Sequence, residues 1–230
     1  KPRRRKPGPP APQGVQRTER GGEARRAKDA MGVPISPERG AYFLYGFHAA
    51  RAALANPARR IGRLWATRPA TEKLADLLAE REISPRAVDR TALDELLGAG
   101  AVHQGLAVEI WPLEEPGLEE IAADCGPGAR LLLLDQVTDP HNVGAILRTA
   151  AIFGASAVCL QARNAPPESA ALAKAASGAL EAVPLVRIGN LTQALQHLKE
   201  AGFWVAGLDG EAQETLSSLP RDEKLALVLG

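Results

Sequence analysis

The strongest chemical signal in the chain is a polar loop that leads into an apolar helix carrying a single charge. This segment runs from Asp135 to Arg148 and reads DQVTDPHNVGAILR. The helix is predicted over Val143–Phe153, and Arg148 is the one charged residue on it. A guanidinium is costly to desolvate, so Arg148 needs a partner. That partner can be internal, in an ion pair with Asp135 or Asp139, or it can be a ligand.

The elements around this segment predict how it is positioned. The apolar run Leu131–Leu134 is too short for a helix and predicts a buried strand, and Asn142 is the predicted N-cap of the helix. Strands and helices then alternate, which predicts right-handed crossovers and a mostly parallel α/β sheet. The predicted strands are Leu131–Asp135, Ala157–Leu160, Pro184–Ile188, Phe203–Leu208 and Leu225–Leu229, with helices over 143–153, 169–180 and 191–201. Ligands bind outside the carboxyl ends of such strands, where the loops after Asp135, Leu208 and Leu229 should meet.

A smaller α/β unit is predicted ahead of this sheet, over residues 40–112. Its clearest segments are strands at 61–67 and 105–110 and an amphipathic helix at 71–82 (TEKLADLLAERE). The acidic stretch 113–129 is predicted to be a linker with a short helix. Residues 130–230 then form the second unit.

Residues 1–39 are a separate basic segment, with 11 Lys and Arg against 4 Asp and Glu, whereas the remaining residues hold 17 against 23. The segment is rich in Pro, Gly and Arg and buries too little apolar surface to offset chain entropy, which predicts disorder. Arg3, Arg4 and Arg5 are candidates for contact with RNA phosphates. A solvating tail with no fixed partner explains the composition equally well.

Several classes of protein lack their signatures in this sequence. No apolar stretch approaches the roughly 20 residues of a membrane span, and no signal-peptide core is recognisable, so we expect a cytoplasmic protein. Cys125 and Cys159 are isolated and are predicted to be structural thiols. The four histidines lack metal-ligand spacing, so no metal site is predicted. The chain after Leu134 has neither a GxGxxG turn nor a P-loop lysine, which argues against a nucleotide-dependent oxidoreductase.

The loop and helix resemble the first motif of the SpoU/TrmH family of RNA ribose 2′-O-methyltransferases. The DPxNxGxxxR core of that motif is met by Asp139, Pro140, Asn142, Gly144 and Arg148. Three further stretches resemble family segments. Ala101–Ile110 resembles the end of the substrate-binding domain, and Lys174–Leu191 resembles the central Ser-Gly-Ala-x-Glu segment. Leu225–Gly230 resembles the opening of the second motif. The likeness covers residues 42–230 and is closest to the bacterial branch that methylates a guanosine in large-subunit (23S) ribosomal RNA.

The resemblance implies a methyltransferase domain of the trefoil-knot (SPOUT) type preceded by a small L30e-like α/β domain. It implies S-adenosylmethionine as the methyl donor, 23S rRNA as the partner and a homodimer, with no metal or membrane involved. The motif arginine is proposed in the family to help deprotonate the ribose 2′-hydroxyl, a role that falls on Arg148. Because an arginine pKa lies above about 12, we expect Arg148 to position the 2′-oxygen and offset its developing charge. Asn142 is expected to hold the ribose or to orient Arg148.

The remaining site residues also follow from the resemblance. Cofactor contacts are expected from the backbone at strand ends, at Gly207, Leu208 and Gly230, although these glycines can equally be turn formers with positive φ. His103 and Gln104 are candidates for RNA contact or for plain structural roles.

Relatives continue past the position of Gly230 with a Glu-Gly-x-Gly segment and a Ser-Leu-Asn-Val-Ser motif that completes the knot and the cofactor pocket. We therefore expect these 230 residues to be truncated, to bind S-adenosylmethionine weakly and to be inactive alone. Two alternatives stay open on the sequence. One is a non-catalytic RNA-binding protein that keeps the fold, and the other is a ribose methyltransferase that acts on tRNA.

Overall fold

The computed structural model describes residues 35–98 and 100–230, which fold around two β-sheets. The predictions for Arg3, Arg4 and Arg5 therefore lie outside the described residues. In the described part of the chain, no helix is both long enough and apolar enough to span a bilayer.

Four strands of the N-terminal unit form the first sheet. Its elements are β1 (Tyr42–Tyr45), α1 (Phe47–Ala55), β2 (Ile61–Ala66), α2 (Arg68–Lys73), α3 (Ala75–Glu80), β3 (Arg86–Ala87), α4 (Arg90–Leu97) and β4 (Leu106–Ile110). The strand order is β1-β4-β2-β3, with β4 antiparallel to both of its neighbours and β2 parallel to β3. All five residues of the inner strand β4 are buried.

The helix predicted over 71–82 is instead two short helices. The first begins earlier, at Arg68, because Pro69 is favoured in a first turn, where a missing N–H costs nothing. It ends at Leu74, whose N–H donates to the Thr71 carbonyl in a tighter turn.

The second sheet has five strands and is entirely parallel. Its unit contains α5 (Leu118–Asp124), β5 (Arg130–Leu134), α6 (Pro140–Ile152), β6 (Ala157–Gln161), α7 (Ala170–Ala176), β7 (Leu185–Ile188), α8 (Leu191–Glu200), β8 (Trp204–Gly207) and β9 (Leu225–Leu229). The order is β7-β6-β5-β9-β8, which confirms the predicted parallel sheet. From β5 the chain builds outward to β7 and then returns on the other side of β5. The order of the strands therefore reverses between β5 and β9, the point at which ligands bind in such sheets.

The helix predicted over 169–180 stops at Ala176. Ser177 and Gly178 both adopt left-handed conformations, and a 3-10 turn follows at Ala179–Glu181. A Cβ on Gly178 would lie 2.8 Å from the Cβ of Ala52 on α1. Glycine at position 178 therefore allows both the left-handed turn and the close packing of α1 against it, a contact that the local sequence could not reveal.

The two units share one apolar core. A single buried cluster includes Leu44 and Ala53 from the first unit and Val143 and Leu172 from the second. A second cluster lies on the other face of the parallel sheet and contains Leu118 of α5. The acidic stretch around α5 thus packs into the second unit as well as linking it to the first.

A buried ionic cluster joins the units beside this core. The Arg59 side chain of the first unit has no exposed surface, and its two terminal nitrogens lie 2.5 Å from Glu168 and 2.7 Å from Glu181 of the second. The same guanidinium donates to the Trp111 carbonyl at 2.8 Å. The phenol of Tyr42 donates to Glu168 at 2.7 Å. These bonds satisfy charges that would otherwise be costly to bury, and they hold the two units in one arrangement.

Candidate functional site

Helix α6 starts three residues earlier than predicted, and Asn142 is not its N-cap. The cap is Asp139, whose carboxylate accepts a hydrogen bond from the His141 N–H at 2.9 Å. Pro140 takes the first helical position, where no intrahelical hydrogen bond is lost. Asn142 therefore lies in the first turn with its side chain exposed.

A polar cavity of about 370 Å³ lies at the carboxyl ends of β5 and β9. It is lined by the loop after β5 together with the first turn of α6 and the end of β9: Asp135, Gln136, Val137, Thr138, Asp139, Asn142 and Gly230. The Asp135 N–H donates to the Leu229 carbonyl at 2.7 Å. A Cβ on Gly230 would lie only 3.2 Å from the Cβ of Asp135. The fold thus brings the predicted site residues Asn142 and Gly230 to one cavity.

Arg148 lies on an exposed face of α6. Asp135 accepts a hydrogen bond from the Gln161 side chain. Across residues 35–98 and 100–230 Arg148 forms no ion pair, so the alternative of an internal pair with Asp135 or Asp139 is wrong, and the alternative of a ligand stays a prediction. The helix is apolar nearly all round, yet only the face with Val143 and Leu147 is buried.

Helical geometry separates the two predicted catalytic side chains. Arg148 lies about 9 Å along the axis from Asn142, and six residues at 100° each place them on different faces. His141 and Ile152 share the face of Arg148. Ile152 is 75% exposed and Phe153, the next residue, is 79% exposed. Within a single chain, Arg148 is therefore not among the residues that line the cavity with Asn142.

An apolar groove of about 650 Å³ adjoins the polar cavity, between α6 and the chain that follows β8. Its apolar lining includes Ile146, Phe153, Leu208, Leu216 and Leu229. Leu208 is half-exposed, and its N–H donates to the Val228 carbonyl at 2.9 Å. The groove and the cavity meet at the end of β9, where Leu229 lines the groove and the next residue, Gly230, lines the cavity.

The glycines in the predicted site have distinct roles. Gly207 and Gly230 are not among the glycines with positive φ, so the alternative that they are left-handed turn formers is wrong. Gly144 of the motif is a packing residue. A Cβ there would lie 2.5 Å from the Cβ of Ala175 and 2.7 Å from the Leu172 carbonyl oxygen. Helices α6 and α7 can approach this closely only with glycine at that position.

The two candidates in the N-terminal unit both make structural bonds. His103 is buried, with Nδ1 accepting from the Gly105 N–H at 3.0 Å and Nε2 lying 3.3 Å from Asp94. Gln104 is exposed, and its Oε1 accepts from the Phe47 N–H at 2.7 Å at the start of α1. Both residues line one surface depression beside Lys73 and Arg90, and Gln104 also lines another one, beside Phe47.

That depression, of about 520 Å³, contains residues that the sequence analysis missed. Phe47, His48, Lys73 and Arg90 line it with Gln104. The Lys73 ammonium lies 5.9 Å from the centre of the Phe47 ring. The sequence did contain one signal for this surface. Four of the nine Phe, Tyr and Trp residues of the chain lie between positions 42 and 47, and the last of them, Phe47, lines the depression.

Two buried titratable groups, the Cys159 thiol and the Tyr42 phenol, have structural roles. Burial raises the pKa of the Cys159 thiol to about 12, so the thiol stays protonated, as expected of a structural cysteine. Burial, followed by the charge of Glu168, raises the pKa of Tyr42, which keeps its phenol a hydrogen-bond donor. In the two described ranges no group of three or more His, Cys, Asp or Glu is placed to hold a metal ion.

Two family models match the chain. The model described as the SpoU rRNA Methylase family matches residues 129–230. A second, described as RNA 2′-O ribose methyltransferase substrate binding, matches residues 43–116. The two matches fall on the parts of the chain that form the two sheets.

Similar proteins include the 23S rRNA (guanosine-2′-O-)-methyltransferase RlmB of Pseudomonas aeruginosa, which is 39% identical over 194 residues, 81% of this chain and 77% of that protein. The protein of the same name from Escherichia coli is 35% identical over 81% of this chain and 79% of its own length.

Solved structures establish the fold. The AdoMet-bound rRNA methyltransferase from Sinorhizobium meliloti matches with a TM-score of 0.66 and 21% identity, over 84% of this chain and 71% of that one. The SpoU methyltransferase AviRb from Streptomyces viridochromogenes, in complex with AdoMet, matches with a TM-score of 0.66 and 17% identity, over 84% and 74% of the two chains.

Proposed function

Because the chain belongs to the SpoU family of rRNA methylases, we propose that it transfers a methyl group from S-adenosylmethionine to the ribose 2′-hydroxyl of a guanosine in 23S rRNA. Relatives that carry this activity in their names are 35% and 39% identical to it over most of their length. The observation that carries the proposal is the polar cavity between β5 and β9, where Asn142 of the first motif lies opposite Gly230 of the second.

The residues at the ends of β8 and β9 fit S-adenosylmethionine. The polar cavity and the apolar groove each have the volume of a small-molecule site, and together they offer polar and apolar surface. The groove suits an adenine ring, and backbone groups at Gly207, Leu208 and Gly230 would hold the cofactor. When bound, S-adenosylmethionine supplies the electrophilic methyl group of its sulfonium.

Arg148 and Asn142 would act on the ribose. Asn142 lines the cavity and would hold the ribose through its amide. The Arg148 guanidinium would position the 2′-oxygen and stabilise the negative charge that develops as the hydroxyl loses its proton. Because guanidinium stays protonated in proteins, Arg148 acts as a fixed cation, and the proton leaves to another acceptor.

A second copy of the chain would complete the site. Arg148 and Asn142 lie on different faces of α6, so we propose a homodimer in which Arg148 of one copy reaches the cavity of the other. Ile152, which is 75% exposed on the same face of α6 as Arg148, supplies apolar surface that such a contact would bury.

The unit over residues 40–112 would deliver RNA to the unit over 130–230, with 113–129 joining them. The two sheets, which lie within 42–110 and 130–229, support this division. The L30e-like character of the first unit, the trefoil knot, the cytoplasmic location and RNA contact by residues 1–39 stay predictions.

Methyl transfer from labelled S-adenosylmethionine to a 23S rRNA fragment by the full-length protein tests the proposal. Arg148→Ala should lower kcat by about 10²- to 10³-fold, the usual effect of removing one group that stabilises developing charge, and should leave cofactor binding in calorimetry unchanged. Lys199→Ala, an exposed change on α8, is the matched control. Full activity of Arg148→Ala would exclude the assigned role. RNA binding with steep salt dependence but no methyl transfer would instead indicate a non-catalytic RNA-binding protein.

Mixing two inactive variants tests the shared site. In a symmetric dimer of Arg148→Ala with Asn142→Ala, one of the two sites carries both changes and the other carries neither. Random mixing should therefore restore about a quarter of the wild-type activity. If the mixture stays inactive, the two residues act within one chain.

A further inference from the structure

We propose that a strip of aromatic and cationic side chains across the junction of the two units holds an unpaired segment of the substrate RNA. The strip consists of Arg90, Lys73, Phe47, Tyr45 and Lys174. The inference rests on the proposed function and deepens it, because it names the surface by which residues 43–116 bind RNA and the form of RNA that they bind.

The first half of the strip lies in the N-terminal unit. Phe47 is half-buried and forms one wall of the 520 Å³ depression, and Lys73 and Arg90 lie exposed at its edge. Lys73 and Arg90 also line a second depression of about 520 Å³, together with His103 and Gln104. An aromatic face next to two cations is the arrangement that stacks a base and contacts the neighbouring phosphates.

The second half crosses to the methyltransferase unit. Tyr45 ends β1, and the Lys174 ammonium of α7 lies 5.1 Å from the centre of its ring. Between Tyr45 and Phe47, Gly46 has a φ of 93°, which favours glycine and turns the chain from strand to helix. Tyr45 and Phe47, which flank Gly46, thus each have a lysine ammonium over the ring. One lysine belongs to the first unit and the other to the second.

The cations of the strip, Lys73, Arg90 and Lys174, are not engaged in ion pairs within residues 35–98 and 100–230. The two carboxylates that line the depressions have other partners: Asp89 caps α4 through the Ala92 N–H at 2.8 Å, and Asp94 lies against His103. Such hydrogen bonds leave a carboxylate charged, so the contact with RNA phosphates rests on the three cations of the strip, which form no ion pair in the described residues, and not on an excess of positive charge.

The strip ends beside α6, the helix that carries the motif residues. Lys174 precedes Ala175, which packs against α6 at Gly144, the glycine of the DPxNxGxxxR motif. RNA that follows the strip from Arg90 to Lys174 therefore arrives at the helix that carries Asn142 and Arg148. Unpaired RNA fits this path, because a stacked base must leave its duplex before an aromatic side chain can cover it.

RNA binding by the protein should be measured as a function of salt for Lys73→Ala, Lys174→Ala and Phe47→Leu, with Lys199→Ala as the matched control. Lys199 is an exposed lysine of α8, which packs on the opposite face of the parallel sheet. The probe is a single-stranded 23S rRNA fragment. Each strip lysine variant should weaken binding and reduce the slope of log K against log salt by about 0.7, the value for one lost contact to a single strand.

Phe47→Leu keeps an apolar side chain, so it should weaken binding about 5- to 100-fold, the worth of one stacked base, without changing the salt slope. On the same RNA annealed to its complement, Phe47→Leu and wild type should bind equally. An equal loss on the duplex would overturn the stacking role. Strip lysine variants that bind like Lys199→Ala would overturn the whole proposal.

Cofactor binding and methyl transfer separate this proposal from the proposed function. All four variants should bind S-adenosylmethionine as wild type does. If wild type transfers no methyl group while the strip variants still weaken RNA binding, the proposed function fails and the strip stands. If wild type methylates RNA and the strip variants bind RNA normally, the strip fails and the proposed function stands.

Discussion

Replacement of Arg59 by methionine should destabilise the protein more than an ordinary surface change and should loosen the junction between the units. The substitution keeps a long apolar side chain but removes the cation that Glu168 and Glu181 share, together with its hydrogen bond to the Trp111 carbonyl. Both carboxylates are only 7% exposed, so they would face each other without compensation. Removing one partner of a buried ion pair costs about 3–5 kcal/mol, and we expect a loss of unfolding free energy in that range.

Urea unfolding, followed separately by a probe in each unit, measures the effect. Wild type should unfold in one transition, whereas Arg59→Met should show two, because the cluster joins the units. The control is Arg63→Met, which breaks an ion pair with Glu109 inside the first sheet. Because Glu109 is fully buried, this loss should also destabilise the protein, but the pair lies wholly within the first unit, so the two transitions should stay coincident.

Adding Glu168→Gln and Glu181→Gln to Arg59→Met should restore much of the lost stability, because neutral amides remove the uncompensated charge. A loss below about 1 kcal/mol in Arg59→Met, the usual worth of an exposed ion pair, would refute the idea that the cluster acts as a buried lock. Coincident transitions in the variant would refute its role in coupling the units.

Three further predictions concern stability and reactivity. Gly144→Ala should lower the unfolding free energy by about 1–3 kcal/mol in urea, because the new Cβ would lie 2.5 Å from that of Ala175. Burial alone would raise the pKa of Glu109, but its bonds to Arg63 and to backbone N–H groups lower it overall. The ionised Glu109 therefore contributes its full stability above the ordinary glutamate pKa, and this stability is lost as the pH falls through the lowered pKa of the folded protein. In thermal melts, Glu109→Gln should reduce the fall of the melting temperature at acid pH, which we call the acid limb. Cys159, whose pKa burial raises to about 12, should react with maleimide only after unfolding.

Each of the three has its own control. Gly189→Ala should be neutral, since nothing lies within 4 Å of the added carbon, and an equal loss there would contradict the packing argument for Gly144. The exposed Glu119→Gln should leave the acid limb unchanged, and a Glu109→Gln variant that behaves the same way would contradict the linkage. Cys125, which is partly exposed, should react in the native protein, and modification of Cys159 at the same rate would contradict its burial.

The sequence was sufficient for features that depend on local chemistry. Apolar runs bounded by turn formers predicted the parallel strands, because a strand buried on both faces needs apolar side chains along its whole length. The order of strands and helices then placed the ends of β5, β8 and β9 at one edge. The DPxNxGxxxR motif predicted the family, because its residues stand at fixed spacing along a single loop and helix.

The start of α6 was predictable in principle and was missed. Asp139 followed by Pro140 is a stronger helix start than Asn142, since aspartate caps the first turn and proline is favoured at the position after the cap. The lysines of the strip were harder to find, because Lys73 and Lys174 come together only where Tyr45 and Phe47 meet the second unit.

Only the tertiary structure decided which charges are buried. Arg148 was the charge that demanded a partner on the sequence, yet it is exposed, whereas Arg59, in a plain turn, is buried with carboxylates 109 and 122 residues away. The reason is physical. Composition and periodicity predict how much apolar surface an element carries, but which face is covered depends on the neighbour that packs against it. That neighbour is set by contacts distant in sequence, as between Gly178 and Ala52 at the junction of the two units.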